Sequence, residues 1–303
     1  MKLSPDGRIR FLLGDKNVRG VLVRGTDLVN EMRIRHGLGL LETLVLGHAC
    51  LAAALLATSL KRDKDRLALR IECSGPIKGL VAESNGAGEV RGYLRQTPIP
   101  LENPLDSFDL ARFFGAGFLS VSTYPDGAGQ PFTGTVMLEH GNLALDLSHY
   151  FQTSEQTPTA IALSIQFDNQ GLPVGAGGLL LQAMPGAPPE LMAELEERIS
   201  ELPSLGRYFA EGGGPGDFLM KEFAAFQPEL LTEAPVCFAC PCSRENISAR
   251  LLTLPEKDLD ELRNGPFPLE TCCHYCNTTY LFNREEMEEL RQERKAGGSC
   301  DTR

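Results

Sequence analysis

The chain has 303 residues, and its 40 acidic and 29 basic side chains give a formal net charge of −11 at pH 7. This charge argues against a nucleic-acid partner, because neutralising phosphates requires an excess of Lys and Arg. The length suits two or three domains, and the first residues lack the apolar core of a secretion signal. The composition therefore predicts a soluble protein of the cytoplasm.

Residues 1–184 are predicted to form one α+β domain. Residues 28–60 have the pattern of two helices that are broken near Gly37 and Gly39. Because the helices come early and the strands mostly follow one another, α+β is favoured over a doubly wound sheet. Short β-rich runs bounded by Gly, Asp and Pro predict strands at 18–23, 67–73, 118–123, 132–137, 160–167 and 178–183.

Residues 43–60 are nearly long enough to span a membrane. The segment is rich in Ala and includes Gly47 and His48, which suits a buried core helix better than a lipid-facing one. We therefore expect no membrane partner.

The same domain shows no catalytic constellation. Its histidines are scattered, and none belongs to a metal-ligand or triad motif; they are His36, His48, His140 and His149. No strand–GxGxxG–helix context is present. The sequence thus predicts a protein without enzymatic turnover.

Residues 185–236 are predicted to form a helical linker. Apolar residues recur at helical spacing before and after a Gly-rich interruption at 211–217. Residues 186–235 hold ten acids and three bases, a net of −7. One interpretation is a solvated acidic linker, and the other is a metastable switch that folds only when it is docked. The stripes are Leu191, Leu195, Ile199 and Leu202, then Phe218, Phe223, Phe226 and Leu230.

Six of the nine cysteines fall within residues 237–290, the predicted zinc-binding domain. Two cysteine pairs about thirty residues apart provide the four thiolates of a tetrahedral Zn²⁺ site. The ordinary zinc-ribbon spacing pairs Cys237 and Cys240 with Cys273 and Cys276. A second scheme replaces Cys237 with Cys242, because alternate residues of an extended segment face the same way. Spacing alone leaves both open.

Excess thiols beside a metal site also indicate redox chemistry. An oxidant that couples thiolates removes two ligands at a time, and a domain folded by zinc then unfolds. A zinc module that never changes state is the plainer interpretation. Helices are predicted at 254–263 and 283–294, and a charged, loose tail at 291–303.

The segments FACPCSREN, TLPEKDLDEL and CHYCNTTYLFN resemble the redox-regulated bacterial holdase family of heat-shock protein 33. The resemblance covers residues 10–290. It includes LLATSLK at 55–61, GPIKGLVAESN at 75–85, HYFQTSEQTPT at 149–159 and GAGGLLLQAMPG at 175–186.

This resemblance implies an inactive, reduced chaperone that binds one Zn²⁺ through Cys240, Cys242, Cys273 and Cys276. Peroxide with heat, or hypochlorous acid, is then expected to convert these ligands into two disulfides. The linker unfolds, and the protein binds unfolding client proteins without ATP. The resemblance also implies an amino-terminal domain that dimerises.

Three cysteines beside or beyond this pattern have no assigned role. Cys237 and Cys272 flank the implied ligands, leave the disulfide connectivity open and permit thiol exchange. Cys300 has no interpretation, whereas Cys50 and Cys73 are predicted to be core residues.

Two other functions compete with the holdase. The first is a zinc-ribbon regulatory or binding module fused to an uncharacterised domain. The second is a thiol–disulfide oxidoreductase that uses the CHYC segment at 273–276, with His274 lowering a thiol pKa. This last option ranks lowest, because no thioredoxin-like βαβ pattern precedes the motif.

Overall fold

The computed structural model describes residues 5–101, 109–127 and 129–297. Contacts along the chain divide it into two compact units, Met1–Ala239 and Cys240–Arg303. The first unit contains β1 (Gly7–Leu13), β2 (Val18–Arg24), α1 (Thr26–His36), α2 (Leu40–Leu56), β3 (Arg66–Cys73), β4 (Gly79–Asn85), β5 (Glu89–Leu94), α3 (Ala111–Phe114), β6 (Gly117–Tyr124), β7 (Phe132–Met137), α4 (Leu143–Thr153), β8 (Thr159–Phe167), β9 (Pro173–Ala183), α5 (Pro189–Glu201), α6 (Leu205–Ala210), α7 (Pro215–Glu222), β10 (Glu229–Pro235) and β11 (Cys237–Phe238). The second contains α8 (Arg244–Leu252), α9 (Glu256–Asn264), β12 (Leu269–Cys272), β13 (Thr279–Phe282) and α10 (Arg284–Gly297).

Two sheets build the first unit. The five-stranded sheet has the order β10-β1-β2-β9-β8, and the six-stranded sheet has the order β11-β5-β4-β3-β6-β7. The pairings between the strands that the structure describes are antiparallel, except that of β11 with β5. Antiparallel sheets with helices grouped beside them make an α+β fold, so the predicted fold class is confirmed.

The helix α2 packs against strands of both sheets. Residues Leu40–Ser59 are long and apolar enough to cross a membrane, but 89% of this stretch is buried inside the fold. The prediction of a core helix is therefore confirmed. Burial also lowers the pKa of His48 to about 4, because the low-dielectric interior disfavours the charged imidazole. The preceding helix α1 ends where Gly37 adopts a left-handed φ of 61°, at the predicted break.

Successive residues of a strand point to opposite faces, so the five-stranded sheet has two apolar faces. One face, with Val21, Val23 and Leu180, joins the α2 residues in what we call the inner core. The other face carries a second cluster, which we call the outer layer. Its buried members are Ile9, Phe11, Leu13, Val18, Leu22, Leu179, Leu181, Met192, Leu195, Leu205, Phe209, Phe218, Leu219 and Phe223.

Half of the outer layer comes from the predicted linker. Leu195 and Phe223 are fully buried, while Ile199 and Phe226 pack against the cluster in part. The helix α6 approaches β9 so closely that a Cβ at Gly175 would lie 1.9 Å from the Gly206 carbonyl oxygen. The acidic segment is therefore docked, and its apolar stripes cover one face of the sheet.

The structure departs from the expected linker and tail in two places. Residues Glu229–Pro235, expected to be helical, form β10, because the edge of β1 offers backbone partners. Leu230, placed in a helical stripe by its spacing, is 41% exposed. The expected loose tail begins inside α10, which continues to Gly297. Residues 298–303, including Cys300, lie outside the described residues.

Candidate metal centre

Four sulfurs form a compact group in the second unit. The Sγ atoms of Cys240, Cys242, Cys273 and Cys276 all lie within 4.8 Å of one another. Cys240 Sγ is 3.8 Å from Cys273 Sγ, and Cys242 Sγ is 3.3 Å from Cys276 Sγ. Four thiolates at Zn–S bonds of about 2.3 Å would lie about 3.8 Å apart at tetrahedral corners. The observed group therefore fits a tetrahedral metal ion.

The first pair of sulfurs lies in the segment before α8. Cys240 and Cys242 are alternate residues separated by Pro241, and this spacing lets both side chains face the same way. Ser243 caps the helix by accepting a hydrogen bond from the Asn246 amide. The Asn246 side chain also donates to the Pro241 carbonyl oxygen at 3.0 Å. The start of α8 thus fixes the backbone between the two cysteines.

The second pair lies in the turn that joins β12 to β13. The Cys273 amide donates to the Thr278 carbonyl oxygen at 2.9 Å, and the Asn277 amide donates to the Cys273 carbonyl oxygen at 2.7 Å. Asn277 adopts a left-handed φ of 57°, which Asn tolerates better than most residues. This tight turn brings the sulfurs of Cys273 and Cys276 to the same side.

Polar groups beside the cluster make further contacts with the sulfurs. The Tyr280 hydroxyl donates a hydrogen bond to Cys242 Sγ at 3.1 Å. Thr278 Oγ1 lies 3.3 Å from Cys276 Sγ. Cys273 and Cys276 are buried, whereas Cys240 and Cys242 are half-buried. Donors to the sulfurs stabilise thiolates and orient them, as outer partners of metal ligands commonly do.

The electrostatics of the cluster favour a cation. Burial, together with the nearby sulfurs of Cys240 and Cys276, raises the pKa of Cys273 to about 12. Burial also opposes ionisation of Cys276, but hydrogen bonds with Thr278, Cys242 and Cys273 together outweigh it and lower the pKa of Cys276 to about 7. Four thiolates confined to this volume repel one another, and a bound cation relieves the repulsion.

The other cysteines of the described residues lie outside this group. Cys237 belongs to β11, and its amide donates to the Gly88 carbonyl oxygen in the first unit. Cys272 is exposed, with its Sγ 3.2 Å from Asn277 Oδ1. Cys50 is fully buried in the inner core, and Cys73 packs against that core in part, as predicted. The structure thus groups the sulfurs according to the CxC scheme; zinc ligation by these four stays a prediction.

The setting of the CHYC segment does not match a thioredoxin-like site. Such a site places its first cysteine at the start of a helix, where the thiolate is stabilised. Here the segment lies between two antiparallel strands of a hairpin, and His274 is exposed.

In the described ranges, the four cysteines form the one group of three or more side chains that could hold a metal ion. The histidines of the first unit do not belong to such a group. His48 lies on α2 and is half-buried, with its Nε2 atom buried and without a hydrogen-bond partner among the described residues. The rings of His140 and His149 are 6.5 Å apart, and His149 Nε2 lies 3.6 Å from Glu139 Oε1.

Together these features define a class: an α+β protein with a carboxyl-terminal unit whose four clustered cysteines could hold a metal ion. The family model described as "Hsp33 protein" matches residues 6–283. This chain belongs to the Hsp33 family, a family of chaperones.

Individual relatives show the same similarity along nearly the whole chain. The chain is 34% identical to the 33 kDa chaperonin of Bacillus subtilis, covering 95% of this chain and 99% of the relative. It is 32% identical to that of Ruminiclostridium cellulolyticum, covering 94% and 97%. The crystal structure of the 33 kDa chaperonin of Thermotoga maritima superimposes with a TM-score of 0.85 at 35% identity, covering 96% of this chain and 99% of that one.

Proposed function

We propose that this protein is a redox-regulated, ATP-independent holdase that binds unfolding proteins and prevents their aggregation under oxidative stress. The observation that carries the proposal is the four-sulfur group, whose size fits a tetrahedral ion. Membership of a chaperone family supports the same function. In the proposed resting state the four cysteines are reduced and bind one Zn²⁺.

Cys240, Cys242, Cys273 and Cys276 would hold the metal. When bound, zinc keeps four thiolates together and contributes folding free energy to a small domain. Among the described residues of the second unit, the hydrophobic core is indeed small and contains six buried apolar side chains. These are Ile247, Leu251, Leu259, Phe282, Met287 and Leu290.

Oxidation would convert the four ligands into two disulfides. In each step two thiolates lose two electrons and one S–S bond forms. With hypochlorous acid as oxidant, the O–Cl bond breaks and chloride and water leave after uptake of one proton. Each step removes two of four ligands, so the metal-dependent fold is lost.

The outer layer provides the surface that such a switch would release. Half of this layer is contributed by the linker, which carries a net charge of −7 over residues 186–235. The linker helices α5, α6 and α7 have 13, 6 and 8 residues. Helices this short are marginal without packing partners. Undocking would expose apolar side chains, including Phe218 and Phe223, together with the sheet face beneath them. Exposed apolar surface of this kind binds unfolding proteins.

The connection between the four-cysteine group and the linker is short. Only Ala239 separates β11 from Cys240, and β11 has two residues. Most side chains of β10 are exposed, so this strand is held mainly by its backbone pairing with β1. Unfolding of the second unit would therefore act on a weakly held end of the linker.

The proposal includes the cellular setting and partners. We place the protein in the cytoplasm, as a homodimer when active, with unfolding client proteins as its partners and no enzymatic turnover. Gel filtration of the reduced and oxidised protein tests the dimer.

One experiment tests the function. Aggregation of a thermally unfolding client enzyme is followed by light scattering with the protein either reduced or oxidised, while a chromogenic chelator reports zinc. We expect one zinc per chain to be released, and aggregation to be suppressed only after oxidation. A Cys237→Ser/Cys272→Ser variant is the matched control and should behave like the parent. Equal suppression in both states, or none in either, would contradict the proposal.

A further inference from the structure

The first unit contains a cleft between its two sheets that the proposed function does not use. Its volume is about 340 Å³. The walls come from the end of α2, from both sheets and from α4. The deep part is apolar and formed by buried residues, namely Val21, Leu55, Leu56, Leu67, Val121 and Leu180. Mainly apolar clefts of this size with a few polar groups are typical of small-molecule sites.

A smaller cavity adjoins this cleft and is polar. Its volume is about 150 Å³, and Arg10 and Thr58 line both cavities. Arg8 also lines the smaller one; it is 8% exposed and donates to the Gly86 carbonyl oxygen. The Nη1 atom of Arg8 is buried and has no hydrogen-bond partner. A buried guanidinium nitrogen without a partner is costly, and an anion in the cavity would satisfy it.

Three arginines line the two cavities: Arg10 lines both, Arg8 the smaller one and Arg19 the larger one. Arg8 and Arg10 are alternate residues of β1, so they share a face of the sheet, and Arg19 belongs to the neighbouring strand β2. Arg19 donates to Gln182 Oε1, and none of the three arginines forms an ion pair with the residues that the structure describes. Burial and the charge of Arg10 lower the pKa of both Arg8 and Arg19.

Two acidic groups lie near these arginines and weaken the positive field in part. Asp63 acts on Arg8 from outside the cavity lining. Glu155 lines the far side of the cleft, is exposed, and accepts a hydrogen bond from the Tyr150 hydroxyl at 2.8 Å. The side chains lining the two cavities therefore include three arginines and one carboxylate.

We infer that this cleft binds single-chain amphiphiles with an anionic head. The head would lie on Arg8, Arg10 and Arg19, and the hydrocarbon chain between the two sheets. A carboxylate or a phosphate head satisfies the same guanidinium geometry. The chain supplies binding energy by burying CH₂ groups against the leucines of the floor.

Ligand binding would also involve β10. Leu231 lines the larger cavity, and Thr232 and Ala234 line the smaller one. A ligand that contacts both β1 and β10 favours the paired state of the two strands, because it binds that state preferentially.

The test is isothermal titration of the reduced full-length chain with decanoate, decyl phosphate, butyrate and decyltrimethylammonium, all below their micelle concentrations. We expect saturable binding of the two long anions and at least about tenfold weaker binding of butyrate and of the cation. Stronger binding of decyl phosphate than of decanoate would assign a phosphate head, and the reverse order a carboxylate.

Variants locate the site. An Arg10→Gln/Arg19→Gln double variant should weaken binding of the long anions by at least about tenfold, since two charge-assisted contacts are lost. The control Arg70→Gln removes an exposed arginine of β3 outside the cleft and should leave binding unchanged. Hydrogen exchange should show slower exchange of β10 amides with bound decanoate. Absence of binding by both long anions, or equal binding by the double variant, would overturn the inference.

Discussion

The inner core and the outer layer bury similar side chains but differ in what covers them. The inner core contains the 17-residue helix α2, which packs against both sheets. The outer layer is covered by three shorter helices from an acidic segment that ends in an exposed edge strand. Burial alone therefore does not fix local stability, because a region opens according to the interactions of its own segment. We expect the outer layer to open well below the free energy of global unfolding.

Removing the metal should produce the largest difference in amide protection between the inner core and the outer layer. Structural zinc contributes on the order of 10 kcal/mol in small zinc domains, so chelation should unfold the second unit. Amide exchange measured by mass spectrometry should then show loss of protection in α8 and α9 and faster exchange in α5–α7. Protection of α2 should persist. Simultaneous loss of protection in α2 would show that the chain unfolds as one cooperative unit.

Truncating one buried side chain in each region provides the second test. Leu51→Ala in the inner core should lower the free energy of global unfolding by about 3–5 kcal/mol. Phe218→Ala in the outer layer removes a similar amount of packing, including an edge contact with Tyr208 at 5.0 Å between ring centroids.

The readouts of these two variants should differ. Phe218→Ala should lower the opening free energy of the outer layer by about 3 kcal/mol and leave the global transition of the inner core nearly unchanged. It should also suppress client aggregation without oxidant. Equal shifts of the global thermal transition in both variants would show that the outer layer does not open independently of the inner core.

An ion pair within the outer layer gives a smaller effect. Arg198 on α5 donates to the Glu222 carboxylate at 2.5 Å, and the Glu222 side chain is 9% exposed. Arg198→Met removes this buried contact and leaves the carboxylate with the more exposed Lys221, whose Nζ lies 3.2 Å from Glu222 Oε1. The loss should cost about 1–2 kcal/mol of outer-layer stability. The control Arg207→Met breaks the Arg207–Glu211 pair, whose side chains are 72% and 64% exposed, and should show almost no change. Equal exchange rates in α5–α7 of the two variants would contradict the assigned role.

The smallest expected effect concerns the order of disulfide formation. Cys273 and Cys276 share a hydrogen-bonded turn that suits a disulfide, whereas Cys240 and Cys242 need a local bend. We therefore expect Cys273 and Cys276 to couple first. Trapping the intermediate with a thiol-blocking reagent and mapping its disulfides by mass spectrometry tests the order. A first bond between Cys240 and Cys242 would show it to be wrong.

Tyr280 offers a way to sharpen that order. Its hydroxyl donates to Cys242 Sγ and withdraws electron density from that sulfur. Tyr280→Phe should increase the rate of oxidation of Cys242 by a few-fold. The time between formation of the first and the second disulfide should therefore become shorter. An unchanged rate of zinc release and an unchanged order of disulfide formation would show that this hydrogen bond does not control oxidation.

Local sequence patterns predicted much of the architecture. The strand at 132–137 and the break between α1 and α2 follow from β-rich composition and from glycine, both of which act over a few residues. β4 and β5 were not predicted because their polar residues are explained only by pairing. Glu83 and Arg91 lie opposite each other in the sheet and form an ion pair at 2.6 Å.

The candidate site shows the same limit. Spacing alone left Cys237 and Cys242 as competing members, and only the family resemblance favoured Cys242. In the structure, Cys237 pairs with Glu89 across β11 and β5, a long-range contact that the sequence does not reveal. Leu230 fitted a helical stripe for a similar reason, since the free edge of β1 that it meets is distant in sequence.

The pairing of β1 with β10 has a consequence for synthesis of the chain. β10 is synthesised after the other four strands of its own sheet and after β3–β7 of the six-stranded sheet. Its partner β1, in contrast, is the first strand of the chain. While β10 is still inside the ribosome, the nascent chain presents β1 as an open sheet edge. Pairings between distant segments form slowly, and unpaired edges recruit other chains. A chaperone built in this order would itself need protection during translation until its last strands arrive.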